Sequence, residues 1–186
     1  MKMSIMAVFV LAASLSCNAA EFSQVQPAKS SIAFISKQMG VPIEGHFGKF
    51  TAKISFDPDS IATSNARIEI HMASIDAGSS DANDEVKGKD WFDIRAYPTA
   101  TFVSTGIKAL PGGRYAATGN MNIKGITRAI TVPFSAKFEN NVATLEGSMA
   151  ISRLQYGVGG GEWADPDTVA DEVQLRFRFT IGATRQ

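Results

Sequence analysis

The amino-acid sequence predicts an all-β fold of about eight antiparallel strands, with one or two short helices in one long connection. Two observations predict it. Apolar residues recur at every second position through much of residues 31–181, and tight-turn clusters separate several of the runs. Each such strand is apolar on one face only. Closure into a β-barrel buries that face and removes exposed edges; a sandwich of two sheets is the alternative.

The runs are read in order. The first, residues 31–37, is irregular. Next, Phe50, Ala52, Ile54 and Phe56 share a face against Thr51, Lys53 and Ser55. Ile68, Ile70 and Met72 oppose Arg67, Glu69 and His71. Residues 99–107 form a second irregular run, with Phe102 within it. Tyr115, Ala117, Gly119, Met121 and Ile123 share a face, as do Ile130, Val132, Phe134 and Phe138. Leu145, Gly147, Met149 and Ile151 follow. The clearest run sets Val173, Leu175, Phe177, Phe179 and Ile181 against Gln174, Arg176 and Arg178. Residues 57–60, 111–113 and 139–141 carry turn chemistry, and the last two make short hairpins. Residues 75–98 are polar, then aromatic, and hold the expected helix or helices; residues 155–170 are Gly-rich with an acidic end.

The start of the chain is a targeting signal. Lys2 precedes an apolar run over residues 5–15, and Ser16, Cys17, Asn18, Ala19 and Ala20 follow. That order describes a secretory signal peptide over residues 1–20, cleaved near Ala19 or Ala20. The run is roughly 18 Å long as a helix, short of the ~30 Å hydrocarbon core. Cys17 lacks the aliphatic residue that a lipoprotein signal carries three places earlier, where Ser14 stands. Cleavage after Ala19 or Ala20 leaves a cysteine-free chain beginning near Glu21, with the domain at residues 21–186 held by its core alone. The expected compartment is periplasmic. The chain has 18 basic and 18 acidic residues; loss of Lys2 leaves 17 against 18. That balance favours neither nucleic acid nor an anionic membrane. No later segment resembles a transmembrane helix. A lipid-facing barrel would carry aromatic girdles, and two Trp and three Tyr do not form them, so the apolar faces are read as inward.

Catalytic and metal chemistry find little support. The two histidines, His46 and His71, cannot supply a zinc site once Cys17 is removed. There is no Gly-x-Ser-x-Gly elbow. Asp81, Asn83 and Glu85 imitate the start of a calcium loop without its later glycine and glutamate. Gly157-Val158-Gly159-Gly160-Gly161 matches no nucleotide fingerprint and is read as a loop needing positive φ or close backbone approach. Trp91-Phe92 and Trp163 stand in the two polar connections, where they line an apolar entrance or plug a solid core.

Several segments together resemble the YceI-like family. Trp91-Phe92-Asp93 with Tyr97-Pro98-Thr99-Ala100-Thr101-Phe102 is similar to its aromatic hallmark. Gly45-His46-Phe47-Gly48-Lys49-Phe50 resembles its early glycine-rich strand, and Asn120-Met121-Asn122-Ile123-Lys124-Gly125-Ile126-Thr127 its later strand and turn. Arg153, Tyr156-Gly157-Val158-Gly159, Glu162-Trp163-Ala164-Asp165 and Asp171-Glu172-Val173 are similar to its C-terminal block. Leu154-Gln155 departs from the Asp-Phe pair common there. The resemblance implies a lipocalin-like eight-stranded barrel, an elongated apolar cavity for polyisoprenoid or similar lipid, and export to the bacterial periplasm.

The expected function is therefore binding or carriage of a long apolar ligand, an isoprenoid quinone among the candidates, with no cofactor, no metal and no catalytic residue. Inward alternation nominates Phe50, Ile54, Ile68, Ile70, Phe102, Met121, Ile123, Phe134, Met149 and Phe177 as the apolar pocket. Trp91, Phe92 and Trp163 are expected to cover it. His46 and Arg153 are candidate polar contacts. Two competing classes are an enzyme acting on a prenyl lipid through His46 and a solid barrel used for protein contacts. The oligomeric state is open, a homodimer included.

Overall fold

The alternating runs pair into one antiparallel sheet of 11 strand segments. They are β1 (Phe22–Val25), β2 (Ser31–Gln38), β3 (Val41–Phe47), β4 (Phe50–Ser55), β5 (Asn65–His71) and β6 (Ile75–Asp76), then helix α1 (Ser80–Lys87). After it come β7 (Thr99–Leu110), β8 (Arg114–Ile123), β9 (Ile126–Glu139), β10 (Val142–Ser152) and β11 (Glu172–Ala183). This computed structural model describes residues 21–184, so the expected signal peptide and its cleavage site lie outside the described residues.

The sheet runs β4-β5-β7-β8-β9-β10-β11-β2-β3-β6, with β1 added to β11. Its two ends belong to the same pair of staves. Only Gly48 and Lys49 separate β3 from β4, and only the turn Met72–Ser74 separates β5 from β6. Backbone bonds carry the ladder across the break: His71 N–H donates to Lys49 O at 3.0 Å, and Gly48 N–H to Ser74 O at 2.9 Å. With β3–β4 and β5–β6 each counted as one bent stave and β1 set aside, the wall is an eight-stranded barrel, as the alternation predicts.

The first half of the bent stave, β3, escapes the sequence pattern. Its inward positions are Ile43, Gly45 and Phe47, and its outward ones include Pro42, Glu44 and His46. A proline and a glycine in a short strand hide its period. The expected helix is α1, capped at Ser79, whose side chain accepts from Ala82 N–H. Asp81, Asn83 and Glu85 sit on that helix rather than in an ion-binding loop.

The two ends of the barrel differ. At one end lie β1 and the turns after β4, β7 and β9. Aromatic rings fill this end: Phe56, fully buried, stands 5.1 Å from Tyr115, 6.0 Å from Phe134 and 6.1 Å from Phe138. Phe22 on β1 adds a ring 5.4 Å from Phe138, and its backbone exchanges hydrogen bonds with Phe56 at 3.0 and 2.9 Å. β1 thus staples the end of β4 to β11 and closes that end. The opposite end carries the hairpins at residues 39–40 and 124–125, together with both long connections. Among the described residues, Met39, Val41, Tyr97, Ile126 and Leu154 are exposed large apolar side chains at this second end, and Phe138 is the counterpart at the first.

Three inward glycines shape the wall between the ends. A Cβ on Gly45 would overlap the Phe34 ring, one on Gly119 the Phe102 ring, and one on Gly147 the Phe177 ring. Gly45 and Phe34 are direct cross-strand partners, as are Gly147 and Phe177. Each ring lies down over its glycine instead of standing across the lumen.

Candidate functional site

The interior keeps a partly open apolar cavity of about 520 Å³. That is within the ~300–1,000 Å³ of small-molecule sites. It runs from the aromatic seal, where Phe56 and Phe134 line it, to the two long connections at the other end. The cavity wall includes Ile54, Ile68, Ile70, Phe102, Met121 and Ile123. It also includes Phe134, Met149 and Phe177, with Trp91, Phe92 and Trp163 from the connections.

Three nominated residues stand elsewhere or are otherwise engaged. Phe50 shares the inward face of β4, yet it does not reach the cavity. Its ring packs edge-on to Phe179, 5.9 Å away, and borders a separate shallow pocket beside Pro27 and His46. His46 alternates with inward Gly45 and Phe47, so it faces outward; its side chain is 59% exposed and lies 4.0 Å from Asp76. Asp76 keeps a lowered pKa mainly through the Gly78 N–H; burial opposes it, and Asn83 and His46 add lesser pulls in the same direction as Gly78. Arg153 does border the cavity and is 3% exposed, but its guanidinium is committed to the backbone. Nε donates to Ala170 O at 3.1 Å, Nη1 to Val158 O at 2.9 Å and Gly159 O at 2.8 Å, and Nη2 to Trp163 O and Val169 O at 2.6 Å. All five N–H groups of the guanidinium fork are thereby used. Burial lowers the Arg153 pKa, and the Asp171 carboxylate opposes that shift.

Arg153 organises the cover over the cavity. The segment from Val158 to Ala170 wraps its head group, and Asp171, just after it, ties back to the chain just before it by accepting from Ser152 Oγ and Leu154 N–H, both at 2.9 Å. The guanidinium lies over the Trp91 ring, 5.6 Å from its centre, and Trp163 lies 5.7 Å from Trp91 on the same cover. Gly159 and Gly160 N–H groups both donate to Asp90 O, at 2.9 and 2.7 Å. Lys124 Nζ ties the β8–β9 hairpin to Gly157 O at 2.7 Å. Burial lowers the Lys124 pKa against the pull of Asp93 and Asp90. The glycine-rich run is thus used for close approach: φ is +75° at Gly159, and a Cβ there would overlap the Arg153 guanidinium.

Other wall residues were not nominated from sequence. Phe34 and Phe47 come from β2 and the hidden strand β3; their rings pack 5.5 Å apart. Asp81, Ala82, Glu85 and Val86 of α1 reach the cavity as well. Tyr156 lines it from the turn after Arg153, is 2% exposed, and has its pKa raised by burial, partly offset by Arg128. Among the described residues, no group of three His, Cys, Asp or Glu is placed to hold a metal, and no helix is long and apolar enough to cross a membrane.

Residues 24–181 match the YceI-like domain. The chain belongs to the YceI-like family. A UPF0312 protein of Vibrio cholerae is 30% identical over 137 residues, which is 71% of this chain and 72% of the relative. Among solved structures, Burkholderia cenocepacia BcnA is 44% identical and superposes with a TM-score of 0.82, covering 84% of this chain and 99% of that one. A polyisoprenoid binding domain from Saccharophagus degradans shares the fold at 13% identity and a TM-score of 0.63, over 90% of this chain and 100% of its own. The hallmark, hairpin and C-terminal motifs of this YceI-like chain therefore converge on one end of the barrel: Tyr97 lies against Gly125, and Trp91 against Arg153 and Trp163.

Proposed function

We propose that this YceI-like protein binds and carries a long apolar lipid, polyisoprenoid in character, in its barrel cavity. The observation that carries the reading is the apolar cavity of about 520 Å³, sealed by aromatic rings at one end and covered by Trp91, Phe92 and Trp163 at the other. The fold shared with a polyisoprenoid binding domain of Saccharophagus degradans supports the ligand class. Burying one isoprene unit contributes roughly 3–4 kcal/mol at ~0.8 kcal/mol per carbon. A few units offset an association cost of about 4–15 kcal/mol. The role is binding without chemistry: His46, the histidine considered as a base, faces away from the cavity. Export through the leader at residues 1–20 places the working protein, residues 21–186, in the periplasm. Native mass spectrometry of the full exported protein, followed by lipid extraction, is expected to return a prenyl lipid. Repeated recovery of lipid-free protein with no measurable affinity for prenyl lipids would sink the proposal.

Two substitutions separate the cover from the outer wall. Trp91→Ala is expected to speed ligand release at least tenfold while the barrel stays folded, because it removes a large ring from the cover and leaves the strand ladder intact. Off-rates measured beside a thermal melt decide it; unfolding with unchanged release from the folded fraction would make Trp91 a plug. His46→Gln is expected to leave affinity within about fivefold, since the ring is largely exposed and paired with Asp76 outside the cavity, and a surface contact of this kind is worth at most ~1 kcal/mol. A larger loss of affinity would return His46 to the site.

A further inference from the structure

The barrel wall is split on one side. β9 and β10 pair only from Glu139↔Val142 to Phe134↔Gly147. Beyond that rung β9 stays paired with β8 as far as Ile126, and β10 with β11 as far as Ser152. Among the described residues, no backbone pairing joins residues 126–133 to residues 148–152. Pro133 accounts for the end of the ladder. Its carbonyl faces Gly147 on β10, and its ring leaves that same edge without the N–H that the next rung requires.

The split leads straight into the cavity. Val132 on its β9 side and Met149 and Ile151 on its β10 side all line the lumen. Two cationic side chains latch it at the mouth end: Arg128 Nε donates to Gln155 O at 2.8 Å, and Lys124 Nζ to Gly157 O at 2.7 Å. Both can swing aside without breaking a strand ladder. The surface around the split also lacks the charges with which natural sheets blunt a free edge. Its exposed outward residues are Thr127, Ala129 and Thr131 on β9 and Ser148 and Ala150 on β10. Elsewhere the barrel's outer face is charged, with Arg67 and Glu69 on β5 and Arg176 and Arg178 on β11. Two exposed apolar side chains stand at the top of the split: Ile126, which lies against Gly157, and Leu154, in the turn that follows β10.

We propose that the β9–β10 side is the face this protein turns to a lipid bilayer, with Ile126 and Leu154 in contact with it, and that the prenyl chain passes sideways through the split into the cavity. This rests on the lipid-binding reading above. A bilayer is the partner that fits. The strand face beside the split brings no charged outward side chain to the contact, and Arg128 and Lys124 at its top can keep their heads at the level of the lipid phosphates. A long chain lying in a bilayer enters an elongated slot along its side, without lifting the cover held by Arg153.

The test measures uptake of a long prenyl alcohol from zwitterionic phosphatidylcholine vesicles by the delipidated exported protein. Residues 21–186 contain no cysteine, so Thr131→Cys with Ala150→Cys supplies a unique pair, at positions that would face each other if the ladder continued. Bridging the pair with a reducible bis-maleimide is expected to slow uptake about tenfold or more, with recovery on reduction. Ile126→Glu with Leu154→Glu is expected to slow uptake from vesicles by a similar factor and to leave affinity for the same alcohol presented in detergent unchanged. Met39→Glu is the control: Met39 is 77% exposed on the β2–β3 hairpin, across the mouth from the split, and its variant is expected to take up the alcohol at the parent's rate. Parent-like uptake by the bridged protein or by the glutamate pair overturns the inference. So does a slowing by Met39→Glu equal to that of the glutamate pair, which would mean end-on docking. Affinity in detergent without uptake from vesicles overturns it as well and leaves the lipid-binding reading standing, whereas no affinity in either medium removes that reading itself. If one variant does not fold or bridge, the other decides.

Discussion

Arg153→Met is expected to destabilise the fold by about 3–5 kcal/mol and to loosen the cover over the cavity. Met keeps an apolar stem of similar reach but removes every donor. Five backbone carbonyls, those of Val158, Gly159, Trp163, Val169 and Ala170, then lose their partner in a site with little access to water. Each hydrogen bond to a charged group is worth about 1.5–3 kcal/mol, so partial relaxation of the loop still leaves a large loss. For a chain of this size the loss corresponds to a fall in Tm of roughly 6–20 °C. Arg153→Lys restores charge but offers three donors on a point-like head, so it recovers only part of the stability. Trp91 and Trp163, the chain's two tryptophans, report on the cover directly, and their emission is expected to shift to the red in Arg153→Met. A melt within 1 kcal/mol of the parent, with unchanged emission, would show that the five bonds are not what holds this loop.

The same residue marks where sequence reading stops. Period-two alternation carries directional information, and it placed Ile54, Ile68, Met121 and Met149 on the inner wall because each lies in an unbroken run. It carries no information on depth. Phe50 shares the face its alternation requires, but its ring packs edge-on against Phe179, which borders the cavity while Phe50 does not, and Phe179 comes from a strand distant in sequence. His46 was legible in principle. Had Ile43, Gly45 and Phe47 been read as one inward row, His46 would have fallen outside; Pro42 and Gly45 obscured the row. For Arg153 no local signal exists. An arginine entering a glycine-rich loop can face a ligand or the loop's own carbonyls, and the choice depends on how Gly157, Gly159 and Gly161 turn the chain through positive φ. Tyr156 was hidden for the same reason: it belongs to an irregular turn, and its burial follows from the wrap of the segment around Arg153.

Gly147→Ala is expected to cost about 1–3 kcal/mol and to shorten the ligand that the cavity accepts. In the parent, Phe177 lies flat over Gly147, its direct cross-strand partner on β10, and presents one face to the lumen. A methyl group at 147 occupies the place of the ring and crowds the Pro133 carbonyl on β9, 2.5 Å from the new Cβ. The carbonyl belongs to a strand also paired with β8, so β9 and β10 must part locally to relieve it while the ring swings into the space beside it, which is the cavity. Stability falls through strain, while affinity for long prenyl chains falls through lost volume; short chains lose less. Gly106→Ala is the matched control, since a Cβ there meets nothing within 4 Å. Urea melts of both variants, with affinities across a series of prenyl chain lengths, separate the two effects. If Gly147→Ala keeps the parent's chain-length profile despite a lower melt, the flat ring serves the wall alone; if it also melts like Gly106→Ala, the pairing of glycine with phenylalanine does not hold the lumen open.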